Sequence, residues 1–159
     1  MTQSARHRRK PSALRGLVPR IAAAATAIVI AGSAFADAAI PQSEVNAALR
    51  DNPDIYNGLF TAALIKHVTD TCPAIRPPGR LARVGYFLSL YNRARGMGFD
   101  RSQIEAFVED DAEQERMRGL VATHLRSAGV DPSSETEICA YARSEMAAGS
   151  ALGRQLREN

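Results

Sequence analysis

The sequence predicts an all-α protein: a small bundle of four to five helices, stapled by one disulfide, behind a signal peptide that is cleaved. Three observations predict it. Apolar residues recur three and four apart along most of the chain beyond residue 50, the spacing of one face of a helix. Gly and Pro fall where such segments should start or stop, and no run of alternating β-branched residues marks a strand. Only two cysteines are present, Cys72 and Cys139, and an even pair in an oxidising compartment reads as one disulfide.

The first element is the export signal. Arg6, Arg8, Arg9, Lys10, Arg15 and Arg20 all precede the first acid, Asp37. An apolar run from Ile21 to Ala31 follows, then Gly-Ser-Ala-Phe-Ala, which is the layout of a charged, an apolar and a small-residue region. Cleavage is expected between Ala36 and Asp37, with Ala38 as a second position. At 11 residues the apolar run is too short for the roughly 20 that cross a bilayer. The Arg8-Arg9 pair invites a twin-arginine reading, but the Lys-Pro-Ser-Ala after it matches poorly, so a Sec-type signal is preferred. Residues 1–36 are therefore the signal peptide, 37–51 a lead-in with a short helix, frayed or loosely docked, and 52–159 a single helical domain.

Removing the leader inverts the charge. It carries six of the 20 bases and none of the 17 acids, so the mature chain has 14 bases against 17 acids, about −3 instead of +3. The basic balance belongs to the signal, and no case for nucleic acid can rest on it. No later segment is apolar enough for long enough to span a membrane.

Each helix has a local justification. In "DNPDIYNGLFTAALIKHVTDTCP", Asn52 can cap and Pro53 can take the first helical position. Tyr56, Leu59, Phe60, Ala63, Leu64, His67, Val68 and Thr71 form its stripe, and Pro73 ends it. In "RPPGRLARVGYFLSLYNRARGMG" the stripe is Leu81, Val84, Gly85, Leu88 and Tyr91, widened by Phe87 and Leu90. "FDRSQI" opens a third helix, with Asp100 and Gln103 at capping-box spacing and Phe99 and Ile104 at staple positions. A fourth runs to Ala128, where Gly129 and Val130 suit a Schellman ending. Asp131-Pro132 should start the last, with Ile138, Ala142, Met146, Gly149, Leu152 or Gly153, and Leu156 along its face.

Between the third and fourth helices, "FVEDDAEQER" places Glu109, Asp110, Asp111, Glu113 and Glu115 within seven residues. The stripe of Ile104, Phe107 and Val108 would continue onto charged positions, whereas the next apolar stripe, Met117, Leu120, Val121, His124 and Leu125, is out of phase with it. A break near Asp110 to Ala112 repairs the mismatch. Asp111 and Gln114 then have capping-box spacing, and the acids gather at the positive end of a helix. The spacing is not that of a calcium loop and lacks its turn glycine, so no metal is expected there.

Other candidates are weighed on chemistry. Five arginines and no acid lie between Asp70 and Asp100, and Arg76, Arg80 and Arg83 could form an anion-binding face. His67 and His124 sit in apolar stripes, where a metal or acid–base role would need them to converge with a carboxylate. Gly149 and Gly153 are candidates for close helix packing. The cysteines lack C-x-x-C spacing, and two thiols cannot complete a zinc shell. No Ser-His-Asp order, H-E-x-x-H or nucleotide-binding glycine motif appears, so no catalytic residue and no cofactor is assigned.

Four features together resemble a family of small exported alphaproteobacterial proteins of unknown function: "TCP" at 71–73, "ARGMGF" at 94–99, "IEAFVEDDAEQERMR" at 104–118, and the late cysteine followed by "GSALGRQL". The resemblance covers roughly residues 52–157 and implies an exported, helical, Cys-paired domain of a Gram-negative envelope, with no activity to carry over. The sequence reading is a periplasmic or secreted, non-enzymatic module that binds a partner such as an envelope protein. A binder of small anions through Arg76, Arg80 and Arg83 is the alternative. A hydrolase or metal-dependent enzyme using His67, His124 and the acids is the third.

Overall fold

The computed structural model describes residues 40–159; the expected signal peptide and the Ala36–Asp37 cleavage site lie outside them. The expected all-α bundle is observed. Six helices occur among the described residues: α1 (Gln42–Asp51), α2 (Pro53–Thr71), α3 (Arg80–Gly96), α4 (Arg101–Glu109), α5 (Asp111–Ser127) and α6 (Glu135–Ala148). Two short strands, β1 (Ile75–Arg76) and β2 (Arg157–Glu158), pair antiparallel, with Ile75 opposite Glu158. No helix among the described residues is long and apolar enough to cross a membrane.

α2 is the hub, and its broad apolar surface explains why. Leu64, Val68 and Cys72 pack with Val121 and Leu125 of α5, Ile138, Cys139 and Ala142 of α6, Ile75 of β1, and Leu152 and Leu156 of the tail. Ile55, near the start of α2, joins a second cluster with Val45 and Leu49 of α1, Ala94 of α3, Phe99, and Ile104 and Phe107 of α4. Cys72 and Cys139 form the disulfide, Cα to Cα 5.3 Å, tying the end of α2 to α6 inside the first cluster.

Several ends obey local chemistry. The Asn52 side chain accepts from the Ile55 amide at 3.1 Å, with Pro53 at the first helical position. Asp100 and Gln103 complete a reciprocal capping box, and Phe99 and Ile104 share a cluster. α5 ends in a Schellman motif: Val130 N–H donates to Leu125 C=O at 2.9 Å and Gly129 N–H to Arg126 C=O at 2.9 Å.

Three expectations are corrected. α1 is neither frayed nor loose, since Val45 and Leu49 are buried in the second cluster. α6 starts later and stops earlier than expected. Asp131 accepts from Ser133 in a turn, Ser134 caps the helix, and Gly149 ends it at φ +62 with Ser150 N–H on Glu145 C=O. The reason is steric: a left-handed residue reverses the chain, so Leu152, Gly153 and Leu156 reach the core from a tail rather than from a helix face.

The third correction concerns the cap of α5. Asp110, not Asp111, holds the non-helical cap geometry, and its Oδ1 accepts from the amides of Ala112 (2.8 Å) and Glu113 (3.0 Å). Gln114 instead reaches Val108 C=O. The break itself lies where the phase change requires it. Asp110→Ala should cost about 1–2 kcal/mol and Asp111→Ala only a few tenths. Urea midpoints of the two variants measure this, and a larger loss at Asp111 would refute the assignment.

Candidate functional site

The arginine candidates lead to an exposed apolar surface on α3. The helix is anchored along one side, through Tyr86, Leu90 and Ala94. Leu90 and Ala94 are buried, and the Tyr86 hydroxyl donates to Gly58 C=O at 2.9 Å. At the crossing, a Cβ on Gly58 would lie 2.6 Å from Leu90 Cδ2, so the absent side chain is what lets α3 approach α2. Every residue from Arg80 to Ser89 is exposed. The expected core stripe of this helix is therefore corrected: Leu81 is 87% exposed, Val84 56%, Leu88 53% and the flanking Phe87 49%.

A shallow groove runs along this half of α3, lined by Arg80, Arg83, Val84, Phe87, Leu88 and Tyr91. Among the described residues neither the Arg80 nor the Arg83 guanidinium has an ion-pair or hydrogen-bond partner, whereas Arg93 pairs with Asp54 and Arg95 donates to Phe99 C=O. Arg76 is set apart on β1, where its Nε donates to Glu158 C=O at 3.0 Å. Arg80 and Arg83 thus share a site that Arg76 does not line.

Phe87 and Tyr91 also line a second groove, between α3 and α4, whose far edge is Glu105, Val108 and Glu109. Val108 is 52% exposed. The two grooves make one surface, with arginines at one end, aromatic and aliphatic side chains in the middle and carboxylates at the other end. Sequence reasoning missed Phe87 and Leu88 as surface residues. The available signal was a helix with more apolar faces than one neighbour can cover.

The acidic stretch does a different job from the one its density suggests. α1 presents Gln42, Asn46 and Arg50 in one row, four residues apart. Gln42 donates to Gln103 C=O at 3.0 Å, Asn46 to Asp110 Oδ2 at 3.4 Å, and Arg50 forms an ion pair with Glu113. The junction of α4 and α5 therefore faces α1. Glu113 is buried, and its second oxygen has no hydrogen-bond partner, with Arg116 Nε at 3.6 Å. Tyr56 lies close by, and burial first, then the Glu113 charge, pushes its phenol above the ordinary range. Asp111 and Glu115 do not join this cluster: Asp111 is exposed, and Glu115 pairs with Arg118 at 2.9 Å.

This clamp is measurable. Glu113→Ala should cost about 2 kcal/mol, because a half-buried Arg50 loses its partner. A double-mutant cycle with Arg50→Ala should give a coupling above about 1 kcal/mol; additive losses would show that the pair carries nothing.

The histidines have separate partners. His67 Nε2 lies 2.9 Å from Pro132 C=O, while His124 Nε2 lies 3.1 Å from the Tyr141 hydroxyl and its ring packs edge-on against Phe60. Burial, and then the Glu145 charge, raises the Tyr141 phenol. Among the described residues no three His, Cys, Asp or Glu side chains gather as a metal-holding group. Gly153, the second of the two packing candidates, lies against the last turn of α6, and Gly149 forms its end.

Residues 47–157 match DUF5333, a family of unknown function. No curated protein and no solved structure matches the chain.

Proposed function

This chain belongs to the DUF5333 family, and we propose that it is an exported module that acts by binding a partner and not by catalysis. The observation that carries this reading is the face of α3, where Leu81, Val84, Phe87 and Leu88 lie side by side, exposed, beside two arginines with no partner among the described residues. Exposed apolar clusters of this kind, rimmed by charge, mark docking surfaces. A helix that only needed to fold would bury them, at about 25 cal/mol for each Å² removed from water. The Cys72–Cys139 disulfide and the basic, apolar and small-residue layout of residues 1–36 support export.

The alternative, a small-anion site on Arg80 and Arg83, has less support. Four of the six groove residues are Val84, Phe87, Leu88 and Tyr91, a lining suited to side chains of a partner.

The test is a photo-crosslinking side chain placed at Leu88 in the living host, combined with mass spectrometry of the recovered protein. The expected result is a chain lacking residues 1–36, lighter by two hydrogens than its reduced form, and carrying a covalent adduct through position 88. Free thiols in the recovered protein would remove the disulfide-based argument for export, and absence of any adduct would overturn the docking reading.

A further inference from the structure

The surface of α3 and α4 is bipolar, and that selects among occupants. Arg80 and Arg83 stand at one end, Glu105 and Glu109 at the other, and Val84, Phe87, Leu88, Tyr91 and Val108 lie between. Glu105 is already engaged by Arg101 at 2.6 Å. Among the described residues Glu109 has no ion-pair partner, and neither do Arg80 and Arg83.

An anionic membrane would gain from the arginine end but would meet Glu109 at the other. An acidic peptide would face the same conflict. A surface with opposite charges at its two ends and an apolar middle is complementary to itself when rotated by half a turn. In such an isologous contact, residue i of one copy meets residue j of the other, and j meets i.

Resting on the docking reading above, we infer that the occupant of this face is a second copy of the chain, in a two-fold dimer centred on Phe87 and Leu88, with Arg80 and Arg83 of each copy on Glu109 of the other. The apolar middle supplies association by leaving water, and the charged ends set the antiparallel orientation and exclude the parallel one. Both unpaired arginines and the unpaired carboxylate then find partners through one operation.

The experiment uses the purified protein with whatever N-terminus its host leaves on it. Light scattering over rising concentration should show the mass doubling. Arg83→Glu and Glu109→Arg should each weaken association at least about tenfold, because each places like charges in contact at both ends of the dimer. Mixing the two single variants should restore it. The carboxylate introduced at position 83 of one chain then meets the guanidinium introduced at position 109 of the other, while the native pair survives at the opposite end. Leu88→Asp should give only monomer, with the melting temperature of wild-type protein diluted to its monomeric range, since the side chain is exposed in the single chain.

A monomer at every concentration overturns the inference, as does failure of the mixed variants to recover. The crosslink at position 88 keeps the two readings apart. An adduct joining two copies of the chain supports the dimer. An adduct only with a different molecule overturns the dimer and leaves the docking reading standing, and no adduct of any kind overturns both.

Discussion

Replacing both Cys72 and Cys139 with alanine should lower stability by about 4 kcal/mol, the loop-closure value for a span of this length. The two residues are 67 apart in sequence, so the bridge removes a large part of the freedom of the unfolded chain. Its position adds to the effect. Cys72 is fully buried and Cys139 nearly so, both within the cluster that α2, α5, α6 and the tail share. The bridge ties the end of α2 to the second turn of α6, two helices that meet only through tertiary contact. Urea denaturation of oxidised and double-alanine protein measures the effect as a lower midpoint. A shift worth less than about 1 kcal/mol would mean that the unfolded chain is already compact without the bridge. Marginal total stabilities of about 5–15 kcal/mol make the predicted loss a large fraction of the whole.

Gly153→Ala should be the most damaging single methyl in the described part of the chain, at about 3 kcal/mol. A Cβ there would lie 2.0 Å from the carbonyl oxygen of Glu145 and 2.6 Å from the amide nitrogen of Met146. Those are backbone atoms in the last turn of α6, and that carbonyl already accepts from Ser150 N–H. No rotamer change relieves the clash, so the tail must lift. Lifting withdraws Leu152 and Leu156 from the core and opens the pairing of Arg157–Glu158 with Ile75–Arg76. Hydrogen exchange should therefore quicken at β1 and β2 before the rest of the protein. Gly119→Ala is the control. That glycine lies in α5 with nothing within 4 Å of an added Cβ, so alanine there should stabilise by about 0.5–1 kcal/mol. Equal effects at the two positions would refute the close approach.

Much of the helical frame was legible in the sequence because its signals act within a few residues. The Asn52-Pro53 start, the Asp100–Gln103 box and the Gly129 ending are complete in their own segments, and each is found as expected. The break inside "FVEDDAEQER" was legible too, from a change in phase. Its cap was not, because Asp110 and Asp111 are both adequate cap residues and the choice depends on which one the turn leaves in extended geometry. Asp110 also accepts from Asn46, 64 residues away, a contact no local pattern contains.

The candidate site divides in the same way. That Arg80 and Arg83 share a neighbourhood follows from their spacing on a helix, and their groove is found there. Arg76 departs because Pro77, Pro78 and Gly79 separate it from the helix, and the tail takes it into a strand pair.

By itself, then, the amino-acid sequence determined the fold class, most of the helix ends and the pairing of its two cysteines. Tertiary structure alone decided that α1 closes on the α4–α5 junction, that Glu113 lies buried against Arg50, and that the first half of α3 finds no cover among the described residues. The reason is physical. Periodicity states which side chains share a face, but burial requires another element to occupy the space above that face. For Leu81, Val84 and Leu88 α2 does not, because α3 meets it through Tyr86 and Leu90 at Gly58, on the opposite side of the helix.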